Sequence, residues 1–210
     1  MIFEEFDLNK HNSHKVAKLI FSVDSKTYSK VFKRNEKAIS AIEKLLLAEN
    51  DFNINKKYNI EKNIQLFVVK DENINKNILG ILDAEKGKKS NFLYDIFFLF
   101  KNLAIGYAFR FSLIYFVDFL TLSNLNQDDY YISELAVDES QRKKGIGTKI
   151  IKKAIKKAKE ENYTRVILDV DVSNEKAIKL YESLGFKIFN KKRAKFFNIW
   201  KGMYNMEYLV

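Results

Sequence analysis

Residues 134–186 read ELAVDESQRKKGIGTKIIKKAIKKAKEENYTRVILDVDVSNEKAIKLYESLGF, and this stretch decides the fold. The apolar segment at residues 131–137 predicts a strand, which leads into a basic glycine turn at residues 142–148. A helical pattern begins directly after the glycines. Backbone amides at a helix start have no intrahelical acceptor, and together with the helix dipole they bind phosphate groups. The stretch therefore predicts a site for a phosphorylated cofactor.

The spacing of the glycines separates this turn from two common nucleotide-binding loops. A dinucleotide fingerprint needs G-x-G-x-x-G and a Walker turn needs G-x-x-x-x-G-K-S/T, and the turn matches neither. The stretch carries a different set of elements. In chain order they are Arg142, Gly145 and Gly147 in the turn, followed by Asn174, Ala177, Tyr181 and Gly185-Phe186. In this order and spacing, they resemble the GCN5-related N-acetyltransferase (GNAT) superfamily over roughly residues 130–190.

The resemblance implies the GNAT acyl-CoA N-acyltransferase fold, an α/β (α+β) fold with a mixed twisted sheet flanked by helices. It also implies acetyl-CoA as co-substrate, with the pantetheine arm along the fourth strand and the pyrophosphate on the amides of the glycine turn. No metal is implied. The residues it assigns to cofactor binding are Leu135, Ala136, Val137, Arg142, Lys143, Lys144, Gly145, Ile146, Gly147, Thr148, Asn174 and Tyr181.

The resemblance further implies direct acetyl transfer to a primary amine in a ternary complex. Tyr181 matches a family tyrosine whose hydroxyl protonates the departing thiolate. The amine is mostly protonated at neutral pH, and Glu134 and Asp169 are two carboxylates at strand positions that can accept its proton. The motif around Asp169 is similar to that of peptide and ribosomal-protein N-terminal acetyltransferases, which carry a glutamate there. Periodicity does not decide which face Glu134 occupies, so both stay open.

Composition excludes several other classes of protein. The 210 residues include no cysteine, which excludes disulfides, thiolate catalysis and zinc-thiolate sites. Only His11 and His14 could begin a metal site, and we interpret them as surface polar residues. The N-terminus lacks the positive charge of a signal peptide, and we expect a cytoplasmic protein. We also expect one domain over residues 1–210.

The net charge of +10 admits anionic partners such as CoA or nucleic acid. Acidic residues are interspersed throughout, and abundant Lys, Asn and Ile without proline indicate an AT-rich genome, so nucleic acid is the less favoured partner. Two alternatives to the enzyme remain: a non-catalytic CoA-binding sensor or scaffold, and a basic nucleic-acid-associated protein.

A phenylalanine-rich segment at residues 91–123 departs from the superfamily pattern. We predict a helical insertion there, between the third and fourth strands, jointed near Gly106. Its charged residues leave no stretch long enough to span a bilayer. We interpret it as core or as a lid over the acceptor pocket, in preference to membrane contact, and a homodimer surface is a further possibility.

The remaining pattern predicts the other elements of the fold. They are a strand at residues 2–8, a helix at 13–32 with a break near Asp24-Ser25, a helix at 35–48, a loop at 50–63, a hairpin of strands at 64–70 and 78–84, a basic loop or short helix at 191–201 with inward aromatics, and a last strand at 204–210.

Overall fold

A computed structural model describes residues 1–54, 64–71, 77–87 and 92–210. Its strands are β1 (Ile2–Glu5), β2 (Ile64–Lys70), β3 (Ile78–Lys86), β4 (Asp129–Val137), β5 (Arg165–Asp171), β6 (Lys187–Phe196) and β7 (Ile199–Leu209). Within the described residues they form one seven-stranded sheet in the order β1-β2-β3-β4-β5-β7-β6. Only β4 and β5 pair in parallel; the other neighbours are antiparallel. The predicted mixed sheet is confirmed.

The helices are α1 (Ser13–Val23), α2 (Ser25–Phe32), α3 (Asn35–Ile54), α4 (Phe92–Asn102), α5 (Ile105–Thr121), α6 (Ile146–Glu160) and α7 (Glu175–Ser183). The expected break between the first two lies at Asp24. Its carboxylate accepts a hydrogen bond from the Thr27 amide at 3.2 Å and so caps α2. Two helices, α4 and α5, lie between the third and fourth strands, as predicted for the insertion.

Two hydrophobic cores lie on opposite faces of the sheet. On one face α1, α2, α3, α4 and α5 pack against the strands, with buried residues that include Val16, Phe32, Ile42, Leu99 and Phe111. On the other face α6 and α7 pack over residues that include Ile150, Ile151 and Met206. The apolar stripe of α6 is buried as its 3.6-residue spacing predicts, while its lysines other than the half-buried Lys157 face outward.

Three local predictions need correction. The helix at residue 35 does not end at Ala48 but continues to Ile54, so a loop from residue 50 is wrong; residues 55–63 lie outside the described part. Residues 191–201 belong to the hairpin of β6 and β7, because their alternation has a period of two. Its aromatics do not all point inward, since Phe197 is 77% and Trp200 is 49% exposed.

His11 is also not a surface residue, because it is buried against β1. Its Nδ1 accepts a hydrogen bond from the Asp7 amide at 3.0 Å, and its Nε2 lies 3.2 Å from the Glu4 carboxylate. His14 instead lies 2.9 Å from Glu43, on a different helix. The two histidines therefore serve separate structural contacts. In the part of the chain that the structure describes, no cluster of potential ligands could hold a metal ion.

Candidate functional site

Strands β4 and β5 are paired at one end and separate at the other. Their parallel register joins residues 129–132 to residues 165–168 and goes no further. At the closed end, the buried carboxylate of Asp129 makes two bonds to the Arg165 guanidinium, at 2.6 and 3.0 Å. Arg165 also reaches Glu207 of β7 at 2.8 Å. Beyond this clamp, Leu135, Ala136 and Val137 present a strand edge toward β5 without a pairing partner there.

A β-bulge in β4 sets which side chains face each side of the sheet. The register with β3 shifts between Asp83 and Ala84, leaving Ser133 as the extra residue. Tyr130 and Ile132 belong to the core beneath α6, and after the bulge Leu135 does too. The even-numbered positions therefore change face at the bulge. As a result, Glu134 lies on the face covered by α1–α5.

The turn before α6 has the geometry of an anion site. Within the described residues, the amide nitrogens of residues 143–148 have no protein acceptor within hydrogen-bond distance. Gly145 caps the helix with φ +73°, a conformation that favours glycine, and no atom lies within 4 Å of where its Cβ would be. Lys143 adopts a similar φ of +64°. The space and the free donors fit a diphosphate, because helix N-termini bind anions through such amides.

The three basic side chains of this turn are exposed. The Arg142 Nε donates to the Val137 carbonyl at 3.3 Å, which ties the turn to the end of β4. The Lys144 ammonium donates to Gln141 at 3.0 Å. Arg142 and Lys144 therefore have local partners, and with Lys143 they add positive charge around the free amides. Ile146 is buried beneath the turn, and Thr148 lies in the first turn of α6.

Helix α7 completes this side of the cleft. Asn174 is its N-cap, with Oδ1 accepting from the Ala177 amide at 3.3 Å. Gly185, at φ +96°, follows the helix as expected for a C′ glycine. A Cβ on Gly147 would contact Leu180 at 3.7 Å and Val137 at 3.8 Å, so α6, α7 and the end of β4 meet here.

Tyr181 lies on α7 with its ring 5.9 Å from that of Phe186. The side chain is half-buried, and burial raises the pKa of its hydroxyl to about 12. The hydroxyl has no protein hydrogen-bond partner among the described residues. A neutral hydroxyl without a partner can donate its proton to an anion that forms beside it.

Asp169 has four hydrogen-bond donors around its carboxylate. They are the Ser123 amide at 3.0 Å, the Ser123 hydroxyl at 2.6 Å, the Tyr131 hydroxyl at 2.8 Å and the Asn205 side-chain amide at 2.5 Å. The carboxylate thus joins β4, β5 and β7 to the segment after α5. Its two oxygens are therefore occupied by protein donors.

Glu134 has the opposite environment. Its Oε2 is buried without a hydrogen-bond partner. Burial, reinforced by the negative charges of Asp83 and Asp118, raises the pKa of the Glu134 carboxyl well above its usual value of 4.5, although Lys201 opposes the shift. A carboxyl with a raised pKa is suited to accepting a proton from an ammonium group.

Two tyrosines from different helices lie in the electrostatic neighbourhood of Glu134. Burial raises the pKa of Tyr28 on α2, and the charge of Glu134 adds to it; burial likewise raises the pKa of Tyr115 on α5. Both side chains are half-buried. No sequence motif points to either residue, and only their position on amphipathic helices could have suggested them.

A buried lysine holds these helices over the sheet. The Lys201 ammonium on β7 lies 2.7 Å from Asp24, the N-cap of α2, and 2.5 Å from Asp118 on α5. Burial alone would lower the pKa of Lys201, but the two carboxylates raise it overall, so it stays charged. This ion pair places Tyr28 and Tyr115 relative to Glu134. The contacts of Lys201 with Asp24 and Asp118 were also not predicted from the sequence.

The open edge where β4 and β5 separate thus lies beside a helix start with free amides. Residues 104–186 match the family model described as "Acetyltransferase (GNAT) family". The model thus matches the part of the chain that carries the motifs, in agreement with the resemblance.

Curated relatives share a short stretch with the chain. The chain is 50% identical to N-alpha-acetyltransferase 30 of Xenopus laevis over 56 residues. This aligned stretch covers 27% of the chain and 20% of the Xenopus protein. The chain is 45% identical to an N-alpha-acetyltransferase of Sulfurisphaera tokodaii over 58 residues. That stretch covers 27% of the chain and 35% of the relative. The chain thus aligns with a fifth to about a third of the length of these relatives.

Solved structures share the fold over nearly the whole chain. An N-acetyltransferase from Staphylococcus aureus Mu50 is 18% identical with a TM-score of 0.69, covering 99% of this chain and 100% of that one. A spermidine N-acetyltransferase from Vibrio cholerae in complex with CoA and spermine is 14% identical with a TM-score of 0.58, covering 99% and 94%. At these identities the likeness concerns the fold.

Proposed function

We propose that the protein is an N-acetyltransferase that transfers the acetyl group of acetyl-CoA to a primary amine, with a peptide α-amine as the first acceptor class to test. One observation carries the proposal: the unpaired edge of β4 runs directly toward a helix start whose amides are free. An extended arm that ends in a diphosphate fits both features at once. The names of the curated relatives support the peptide acceptor.

The cofactor contacts follow from this arrangement. The amides of Leu135, Ala136 and Val137 would bind the pantetheine arm, and the amides of residues 143–148 would bind the diphosphate. Asn174 would add a side-chain contact at the start of α7. Acetyl-CoA, when bound, supplies the activated acetyl thioester. Backbone donors along β4 would also favour charge that develops on the thioester oxygen.

The chain's own groups then divide the proton transfers. Glu134, with its raised pKa and free Oε2, would take the proton of the incoming ammonium, directly or through water. Tyr181, a neutral hydroxyl, would give a proton to the departing thiolate. Asp169 would position β4 and β5 through its four hydrogen bonds and would not act as the base. The occupied oxygens of Asp169 support this division.

The acceptor would enter on the face of the sheet opposite α6, between α2 and α5. The charge of Glu134 acts on both Tyr28 and Tyr115, so a protonated amine there would meet a carboxyl with two tyrosine hydroxyls in its electrostatic neighbourhood. In the described residues, one continuous sheet lies between the two hydrophobic cores and contributes to both. This supports treating residues 1–210 as one domain.

The test begins with binding and ends with turnover. Acetyl-CoA should raise the melting temperature of the purified protein, while NADH and ATP should not. CoA release is then measured with N-terminal peptides, the same peptides blocked at the α-amine, and polyamines. Turnover that requires the free α-amine supports a peptide acceptor. Turnover with polyamines only would mean that the acceptor is a polyamine and not a peptide. Binding of acetyl-CoA without turnover would favour a CoA sensor.

A further inference from the structure

The helical hairpin of α4 and α5 presents bulky apolar side chains to solvent near its turn. Phe97 is 64% exposed, Phe100 46%, Ile105 78% and Phe109 59%. Phe97 and Phe100 are three residues apart on α4, and Ile105 and Phe109 are four apart on α5, so each pair shares a helix face. We refer to these four residues as the apolar tip.

The apolar tip is not needed for the core. The inner faces of the same helices already bury Leu99, Ala108, Phe111 and Ile114. Soluble proteins rarely leave a contiguous group of large apolar side chains in water without a binding partner for it. The interpretation of the insertion as core is confirmed for its inner face only, and a lid over the acceptor pocket stays a prediction.

The tip borders an open groove of about 500 Å³. Val31 of α2 lines it together with Phe100, Ile105, Phe109, Leu113 and the side chain of Arg110. The Arg110 guanidinium lies 5.9 Å from the Phe32 ring, which confirms that α2 and α5 meet here. The apolar tip is therefore continuous with the C-terminal end of α2.

Cations surround this apolar surface. Lys101 is exposed next to Phe100, and Arg110 is exposed beside Phe109. The adjoining segment at residues 30–37 exposes Lys30, Lys33, Arg34 and Lys37 and one acidic residue, Glu36. We refer to these six cations as the cationic rim. An apolar surface with a cationic border is the pattern by which proteins bind the interface of anionic bilayers.

We propose that the apolar tip and the cationic rim form an interfacial site for an anionic lipid bilayer. The tip would enter the headgroup region while the rim neutralises lipid phosphates. A second copy of the chain fits less well, because a two-fold interface here would bring two cationic rims together. No helix in the described ranges is long and apolar enough to cross a bilayer, so the contact would lie on the surface.

The test is sedimentation of the full chain with vesicles of phosphatidylcholine alone or mixed with one third phosphatidylglycerol. We expect binding to the mixed vesicles that weakens with salt. Ile105→Ser with Phe109→Ser should lower the partition coefficient about tenfold or more. Leu209→Ser removes a side chain of similar exposure, 72%, at the far end of β7 and should leave binding unchanged.

Charge-reversal variants distinguish binding through the cationic rim from nonspecific attraction of the positively charged protein to anionic vesicles. Lys101→Glu with Arg110→Glu should also lower binding about tenfold. Lys152→Glu with Lys153→Glu makes the same change of net charge on the exposed face of α6 and should have little effect. Equal losses in both pairs, or no binding by the unaltered chain, would overturn the proposal. So would a dimer, seen by light scattering, that the Ile105→Ser and Phe109→Ser changes dissociate.

Discussion

Gly80 in β3 lies so close to Ala136 in β4 that a Cβ atom on Gly80 would be 2.4 Å from the Ala136 carbonyl oxygen. Only glycine lets the two strands approach this closely. Because Ala136 belongs to the edge proposed to bind pantetheine, we expect Gly80→Ala to displace that edge. The change should lower the free energy of unfolding by about 1–3 kcal/mol and weaken acetyl-CoA binding, measured by urea unfolding and calorimetry.

Gly106→Ala is the matched control for this substitution. A Cβ on Gly106 would meet only the flexible end of Arg110, at 3.2 Å, and alanine favours the helix by up to about 1 kcal/mol. Its stability should be equal or higher and its affinity for acetyl-CoA unchanged. If Gly80→Ala binds acetyl-CoA as tightly as the unaltered chain, the assignment of Ala136 to the cofactor edge is wrong.

The two glycines of the phosphate turn should respond differently to alanine. Gly145 has φ +73°, so Gly145→Ala strains the backbone and should cost about 1 kcal/mol of stability. Gly147 does not have a positive φ, and its Cβ would make ordinary contacts at 3.7 and 3.8 Å. Gly147→Ala should therefore keep its stability. Thermal unfolding of both variants checks this, and equal losses would contradict the role of the left-handed turn.

Tyr181→Phe should lower kcat about 10²-fold while leaving the KM for acetyl-CoA and the stability nearly unchanged. The reason is that the hydroxyl, with its pKa near 12, has no protein partner to lose in the described part of the chain. Steady-state kinetics and thermal unfolding measure both quantities. Tyr208→Phe, on the same face of the sheet, is the control. An unaltered kcat in Tyr181→Phe would remove the proposed acid.

The local structure of the proposed cofactor side could be predicted from the sequence because its contacts are local. The glycine turn, the Asn174 cap and the C′ glycine Gly185 each depend on neighbours a few residues away. The acceptor side of the site could not be predicted in this way, because its contacts join distant parts of the chain. The face of Glu134 depends on a bulge at Ser133 that periodicity does not reveal, and the Lys201 ion pairs join residues 83 and 177 positions apart.

Replacing Glu134 by Gln should change how stability depends on pH. The folded chain keeps the Glu134 proton at pH values where the unfolded carboxyl, with a pKa near 4.5, has lost it. Stability therefore falls as pH rises from 4.5 toward the raised folded pKa, by at most about 1.4 kcal/mol per pH unit. Glu134→Gln removes this contribution, so its advantage in urea unfolding should grow with pH. Parallel pH curves would show that the pKa is not raised.

The same substitution tests the base. If Glu134 accepts the ammonium proton, Glu134→Gln should lower kcat by about 10²-fold or more and remove the rise of kcat with pH. The variant would then be more stable and less active at neutral pH. Loss of stability with unchanged kinetics would instead assign Glu134 a structural role.

Asp169→Asn separates positioning from proton transfer. The amide cannot accept all four hydrogen bonds from Ser123, Tyr131 and Asn205, so the free energy of unfolding should fall by about 2 kcal/mol or more. Asp171→Asn, two residues further on, changes only a local contact with Ser173 and should cost much less. If Asp169 acts through the strands it joins, as proposed, the pH dependence of kcat should survive in Asp169→Asn with a lowered plateau. Loss of that pH dependence here, and its persistence in Glu134→Gln, would exchange the roles of the two carboxylates.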